Sequence, residues 1–208
     1  MIGLITSARL MALAPRCDAP TLAPALDAAA TAHAITTPRQ IRHWLAQLDV
    51  ESAGYTQLEE NLNYSAARIR QVWPAKFPSL ASALAVAHKP QALAGVVYAD
   101  VDGNRGPADG WAYRGRGLIQ ITGRANYAAA GHRLAQPYAT DPDLVAQPTH
   151  AALTAADFWV ARGCDRALVD HANDAEACSA LRRLINGGET DLAAAQAALT
   201  RAAQIWPG

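Results

Sequence analysis

Cysteine is scarce in this chain. The three residues Cys17, Cys164 and Cys178 are too few, and odd in number, for a disulfide framework. A single bridge between Cys164 and Cys178 is open to it, but three reduced thiols in a protein made in a cytoplasm is the simpler reading. Net charge is also missing. Eighteen basic residues balance eighteen acidic ones, so nothing in the charge balance drives the chain onto nucleic acid. A carbohydrate, held by hydrogen bonds and stacking, is not excluded on that ground. Long apolar runs are absent as well. Arg9 interrupts the first one and Pro15-Arg16 closes the next, which makes a poor signal peptide. Cys17 follows Arg16 rather than the small residue of a lipoprotein site. No run reaches the length of a membrane span, so stable membrane insertion is not expected. The six histidines (His33, His43, His88, His132, His150 and His171) show no metal-ligand spacing. There is no Gly-x-Ser-x-Gly elbow, and Gly115-x-Gly117 lacks the third glycine of a nucleotide fingerprint. Neither a metal nor a cofactor is expected.

What remains is a chain rich in alanine and poor in β-branched runs, which favours helix. About half of it is apolar, 51%, enough for a core in one domain or in two lobes around a cleft. With no linker and no repeat, we expect one catalytic domain over residues 1–208. Its first 34 residues read as two short helices separated by Pro15 to Pro20. Thr36-Thr37-Pro38 is a strong helix start, and Ile41, Trp44, Leu45 and Leu48 form one apolar stripe after it. Gly54 is a natural stop. Further helices are expected over 65–73, 80–88, 90–97, 151–162, 174–185 and 191–205. Residues 100–113, rich in Gly, Asp, Asn and Pro, read as loop. Residues 115–122 read as a short strand or an extended segment lining a cleft. Trp73, Trp159 and Trp206 fall at core positions, whereas Trp111 in the polar loop suits a sugar contact.

Two acidic positions stand out. Glu51 lies one turn beyond Leu48 at the edge of the buried stripe. Partial desolvation there favours the protonated form that a general acid needs. Glu59-Glu60 follows nine residues later. On one straight helix Glu51 and Glu60 would stand about 13 Å apart and face opposite sides. A break at Gly54 lets the chain turn back, toward the roughly 6.5–9.5 Å that an inverting glycosidase needs between its carboxylates.

The surrounding motifs give these acids a context. Glu51-Ser52-Ala53-Gly54-Tyr55 precedes Glu60-Asn61-Leu62-Asn63-Tyr64-Ser65. Val97-Tyr98 and Gly103-Asn104-Arg105 follow, then the continuous block from Gly110 to Tyr127, and finally Ile185-Asn186-Gly187-Gly188. Over about residues 35–206 the chain resembles family 19 glycoside hydrolases, the chitinase-like group, and most closely their short phage and prophage endolysins. The resemblance implies a mainly α, lysozyme-like, two-lobed helical fold with a central substrate cleft and an inverting mechanism. It implies that Glu51 is the general acid, that Glu60 is the general base, and that Thr122 helps hold the attacking water. Gln120, Asn126 and Asn186 match sugar-binding positions, and Tyr98 lines the cleft. Arg116 and Trp111 are further expected substrate contacts, and Arg114 and Arg116 are expected to buttress the acids.

Two positions depart from the family pattern. Val50 replaces a frequent His, and on helix geometry it points away from the stripe. Ala195 replaces a frequent Arg, which removes an expected charge partner of the acids. The resulting expectation is a monomeric peptidoglycan hydrolase cutting β-1,4 bonds, held in the host cytoplasm until a holin releases it to the wall. The alternatives are a chitinase acting on chitin oligomers and a non-catalytic glycan-binding protein.

Overall fold

The computed structural model describes residues 3–208, so Met1 and Ile2 of the expected N-terminal segment lie outside it. About 62% of the chain is helical. No strand forms among the described residues, and the 115–122 segment contributes only two isolated bridges, Arg116 with Glu59 and with Ile121.

The helices begin where capping chemistry starts them. α1 (Ser7–Leu13) is capped by Thr6, whose hydroxyl accepts from the Arg9 amide. α2 (Ala19–Ala32) starts at Asp18 with Pro20 in its first turn, and at fourteen residues it is longer than expected. α3 (Pro38–Glu51) carries a full capping box. The Thr37 side chain accepts from the Gln40 amide, and the Gln40 side chain accepts from the Thr37 amide. The expected stripe of Ile41, Trp44, Leu45 and Leu48 is buried to 1% exposure or less. α4 (Ala66–Val72) is capped by Ser65 and α5 (Leu80–Val86) by Ser79, and α6 (Pro90–Val97) follows with Pro at its start.

Three helices were not expected. α7 (Pro107–Ala112) lies inside the segment read as loop, and it holds Trp111. α8 (Arg124–Leu134) and α10 (Cys164–Asp170) both start from a glycine in a positive-φ conformation, Gly123 and Gly163, with no side-chain cap. A capping signature was therefore absent from the sequence. Gly123 is obligatory, because a Cβ there would come within 2.3 Å of the Asp102 side chain. Between them lie a 3-10 turn over Pro142–Ala146 and α9 (Pro148–Ala161). α11 (Asp174–Asn186) and α12 (Leu192–Ile205) close the chain.

These elements fall into two compact units. The first comprises residues 1–58, 117–119 and 145–208; the second comprises 59–116 and 120–144. In the first unit, α2 packs on α9 and α3 packs on α12. Buried alanines are frequent on these helices, among them Ala23 and Ala30 of α2, Ala152 and Ala156 of α9, and Ala46 of α3 clustered with Ala195 and Ala198 of α12. Small side chains let the helix backbones approach closely, so packing is dense without large apolar residues. Trp159 and Trp206 are core residues at 2% exposure, as expected, and Trp73 is half-buried. The second unit has its own core of Leu62, Ile69, Phe77, Leu93 and Val97.

An ionic clamp fixes α3 to α11. Asp174 accepts from Arg39 and Arg42 at 2.9 Å and pairs with the buried His43 at 3.1 Å. Burial alone would raise the Asp174 carboxyl, but the hydrogen bonds of His43 and Arg39 outweigh it and hold it at about 2. Its contribution to stability is present above the ordinary Asp range and is lost as pH falls toward 2.

Removing the α3 cap should weaken the first unit. Thr37→Ala is expected to lower unfolding free energy by about 1 kcal/mol, read as a shift in the urea midpoint at unchanged slope.

Candidate active site

Glu51 ends α3. The backbone beyond it makes a tight turn in which Ala53, Gly54 and Tyr55 all have positive φ, at 50°, 74° and 60°. Two of these are not glycine, so the turn carries strain that its surroundings must hold. Ser52 and Tyr55 do so. The Ser52 hydroxyl accepts from the Tyr55 amide at 3.0 Å, and the buried Tyr55 hydroxyl donates to the Leu45 carbonyl at 2.6 Å.

The Glu51 side chain is 20% exposed and its carboxylate accepts from Arg182 Nη1 at 2.6 Å. Arg182 is almost fully enclosed. The same Nη1 reaches Gln47 Oε1 at 3.1 Å, and Nε and Nη2 reach the Thr190 carbonyl at 3.2 and 3.0 Å. One guanidinium thus joins α3, α11 and the turn before α12 around a single carboxylate. This alters two expectations. The charge partner of Glu51 is neither Arg114 nor Arg116, and it is not missing through Ala195. It is Arg182, from a different helix. Ala195 is fully buried against Ala46 and Cys178, and Val50 packs against that same cluster. Val50 thus lies off the Ile41–Leu48 stripe, as expected, but on a second buried side that meets α12.

In the second unit Glu60 is half-buried. The Tyr98 hydroxyl donates to its Oε1 at 2.6 Å, while Oε2 is buried without a hydrogen-bond partner among the described residues. Burial pushes the Glu60 carboxyl above its ordinary value, against the opposing pull of Tyr98, the Gly115 backbone and Arg114. The Glu60 amide donates to the Gly115 carbonyl at 2.9 Å. A Cβ on Gly115 would stand 2.8 Å from Gln120 Oε1 and 3.3 Å from Glu60, so only glycine leaves room for both side chains. Tyr98, expected to line a cleft, is thus a direct partner of Glu60. Gln120 is drawn to the same place with an unusual φ of 51°. The Thr122 hydroxyl donates to the Gln120 carbonyl at 3.1 Å, which leaves its lone pairs available to a water. Asn126 is exposed, with Nδ2 on the Thr122 carbonyl at 2.8 Å. In the first unit Asn186 is exposed at the end of α11, and its Nδ2 reaches the Thr190 carbonyl at 3.1 Å.

The remaining expected contacts lie elsewhere. Arg116 is 1% exposed, with Nη1 on the Ala112 carbonyl at 2.6 Å and on the Tyr127 hydroxyl at 3.2 Å, and an ion pair to Asp143. Enclosed in this way it braces the 110–127 block rather than binding substrate. Arg114 pairs with Glu59, not with Glu60, and its guanidinium stands 3.8 Å over the Trp111 ring. Trp111 therefore sits on a helix with one face covered.

A mainly helical chain with this element order has the lysozyme-like fold of the chitinases. Chitinase C of Streptomyces griseus superposes with a TM-score of 0.69 at 23% identity, covering 99% of this chain and 94% of that one. A second bacterial family 19 chitinase, described as differing from plant enzymes, gives 0.69 at 20% identity over 98% and 95%. Residues 81–176 match the family model for chitinase class I, glycoside hydrolase family 19. Residues 81–176 thus resemble family 19 glycoside hydrolases, and the fold is that of the chitinases. A Haemophilus influenzae glycosyl hydrolase family 19 domain-containing protein is 47% identical over 88 residues, 41% of this chain and 44% of that protein. An Arabidopsis thaliana endochitinase is 43% identical over 77 residues, 37% of this chain and 25% of the plant protein. The chain thus matches less than half the length of these curated relatives. Glu51, Glu60 and Asn186 lie outside the segment matched by the family model.

Two measurements test this geometry. Arg182→Ala should cost roughly 3–5 kcal/mol, because it strands a partly buried carboxylate, and the added change Glu51→Gln should restore part of the loss. The second concerns Glu60. Its raised carboxyl adds stability below the ordinary Glu range and loses it as pH climbs through the elevated value. Glu60→Gln should therefore melt above the wild type at pH 7, with the gap closing toward pH 4.

Proposed function

We propose that the protein is an inverting glycosidase that cuts β-1,4 bonds of the peptidoglycan glycan strand, with Glu51 as proton donor and Glu60 as base. The observation that carries the reading is the Glu60 cluster. A carboxylate lifted by burial, bonded by a tyrosine hydroxyl and bordered across Gly115 by Gln120, is a site for handling a proton beside a sugar. In this reading protonation of the leaving oxygen accompanies an oxocarbenium-like centre, which a water activated by Glu60 attacks from the opposite face. Thr122 orients that water, and the amides of Gln120, Asn126 and Asn186 meet N-acetyl groups as both donors and acceptors. The Glu-Asn-Leu-Asn-Tyr-Ser motif of residues 60–65 and the resemblance to phage endolysins support the wall as substrate. The protein then works as a monomer that waits in the host cytoplasm for a holin. Chitin is the second reading, favoured by the names of the related endochitinase and chitinases.

Digestion of purified Gram-negative peptidoglycan, with mass analysis of the released reducing ends, is the test. Wild type should release muropeptides, Glu51→Gln should release none, Glu60→Gln nearly none, and added chelator should change nothing. Faster turnover of chitin oligomers than of wall would make the enzyme a chitinase, and tight glycan binding without cleavage at any pH would make it a binding protein. Substrates with an activated leaving group assign the roles, because they bypass the acid alone. Rescue of Glu60→Gln instead of Glu51→Gln by such a substrate would exchange the two roles.

A further inference from the structure

A basic pocket in the first unit takes no part in the chemistry described above. It has a volume of about 550 Å³ and lies where α9, α10 and α11 meet. Its charged lining is Arg162, Arg166, Asp170, His171 and Arg183. Three guanidiniums face one carboxylate there, in a chain whose total charge is zero. Two of the three are partly neutralised. Arg166 binds both oxygens of Asp170, at 2.8 and 2.9 Å, and Arg183 pairs with Glu189 and reaches the Ser179 hydroxyl at 2.9 Å. Arg162 is different. It follows the last residue of α9, is exposed, and has neither an ion pair nor a side-chain hydrogen bond among the described residues. Its guanidinium instead stands 5.1 Å over the ring of Phe158, a contact that favours this direction and leaves its donors unsatisfied. Beside it Gly163 turns the chain at a φ of 66°, and the space where its Cβ would stand is open.

We propose that this pocket binds the carboxylates of the peptide that hangs from the peptidoglycan sugar chain. An oriented guanidinium with free donors is matched to a planar carboxylate, which it grips through two parallel hydrogen bonds. The half-exposed Leu184 gives the pocket an apolar wall for the short side chains of such a peptide. The site is also tied to the sugar-binding end of α11. Arg183 lies one turn before Asn186 and next to Arg182, the partner of Glu51. Chitin carries no carboxylates, so this pocket would separate wall from chitin. The proposal rests on the peptidoglycan reading, and its test keeps the two apart.

The probe is the stem tripeptide L-alanyl-γ-D-glutamyl-meso-diaminopimelate, titrated calorimetrically against the wild-type protein, Arg162→Ala and Arg162→Glu. Its carboxyl-amidated form and inorganic phosphate are the comparison ligands. Arg162 makes no internal ion pair, so both variants should keep the wild-type circular dichroism and melting temperature. The tripeptide should bind wild type at least tenfold more tightly than Arg162→Ala, and more tightly than its amidated form. Arg162→Glu should abolish the binding. Equal binding of phosphate and tripeptide would overturn the assignment in favour of a general anion site. Tripeptide binding that survives in Arg162→Glu, or its absence from wild type, would overturn it outright. In parallel, Arg162→Glu should slow digestion of intact peptidoglycan severalfold and leave glycan strands stripped of peptide at the wild-type rate. Cleavage of both substrates at wild-type rates would sink the pocket and leave the glycosidase standing. Cleavage of neither by wild type, with the tripeptide still bound, would sink the enzymatic reading and leave the pocket.

Discussion

The enclosed guanidinium of Arg182 is the constraint on which the first unit is organised. A charge with so little contact to water must be paired and have its donors used, and here four hydrogen bonds do that. The price is rigidity. Gln47 and Glu51 must sit one turn apart on α3, the Thr190 carbonyl must turn inward before α12, and α11 must hold its register against both. The Asp174 clamp at the other end of α3 repeats the arrangement with its own arginines. Glu51 therefore occupies the end of a helix that is pinned at both ends by ion pairs. For the proton transfer proposed at Glu51 such support counts, since misplacement of a reacting group by an ångström is costly.

The two glutamates are held by opposite means. Glu51 faces a full positive charge, whereas Glu60 faces a neutral hydroxyl and a half-dry environment. The physics of the two settings differs accordingly. Around Glu60, burial outweighs the pull of Tyr98, the Gly115 backbone and Arg114 and lifts the carboxyl above its ordinary value.

Much of the fold was legible because it is written in local chemistry. Thr37, Ser65 and the prolines at helix starts mark where helices begin, and the stripe from Ile41 to Leu48 marks what they bury. What escaped has a common cause. α8 and α10 start on positive-φ glycines, and α7 contains Gly110 and Asp109, so their signals are those of a turn. Val50 was read from one stripe of α3, yet α3 is buried on a second side through Ala46. In the site, Glu51, Glu60 and Tyr98 could be named from their motifs. Arg182 could not, because it lies 131 residues from the carboxylate it holds. Arg116 has the residue type of a substrate ligand, and only its enclosure among Ala112, Tyr127 and Asp143 shows it to be a brace.

The three thiols have a consequence of their own. Cys164 and Cys178 are fully buried and Cys17 partly so, and burial raises all three above the ordinary cysteine range, Cys164 to about 12. Only a thiolate attacks a disulfide or a peroxide, and near neutral pH these sulfurs are almost entirely protonated. Burial thus holds the Cys164 and Cys178 sulfurs in the unreactive thiol form and away from solvent. Two of the three thiols are thereby shielded from the exchange partners and peroxides that an oxidising compartment would bring to them.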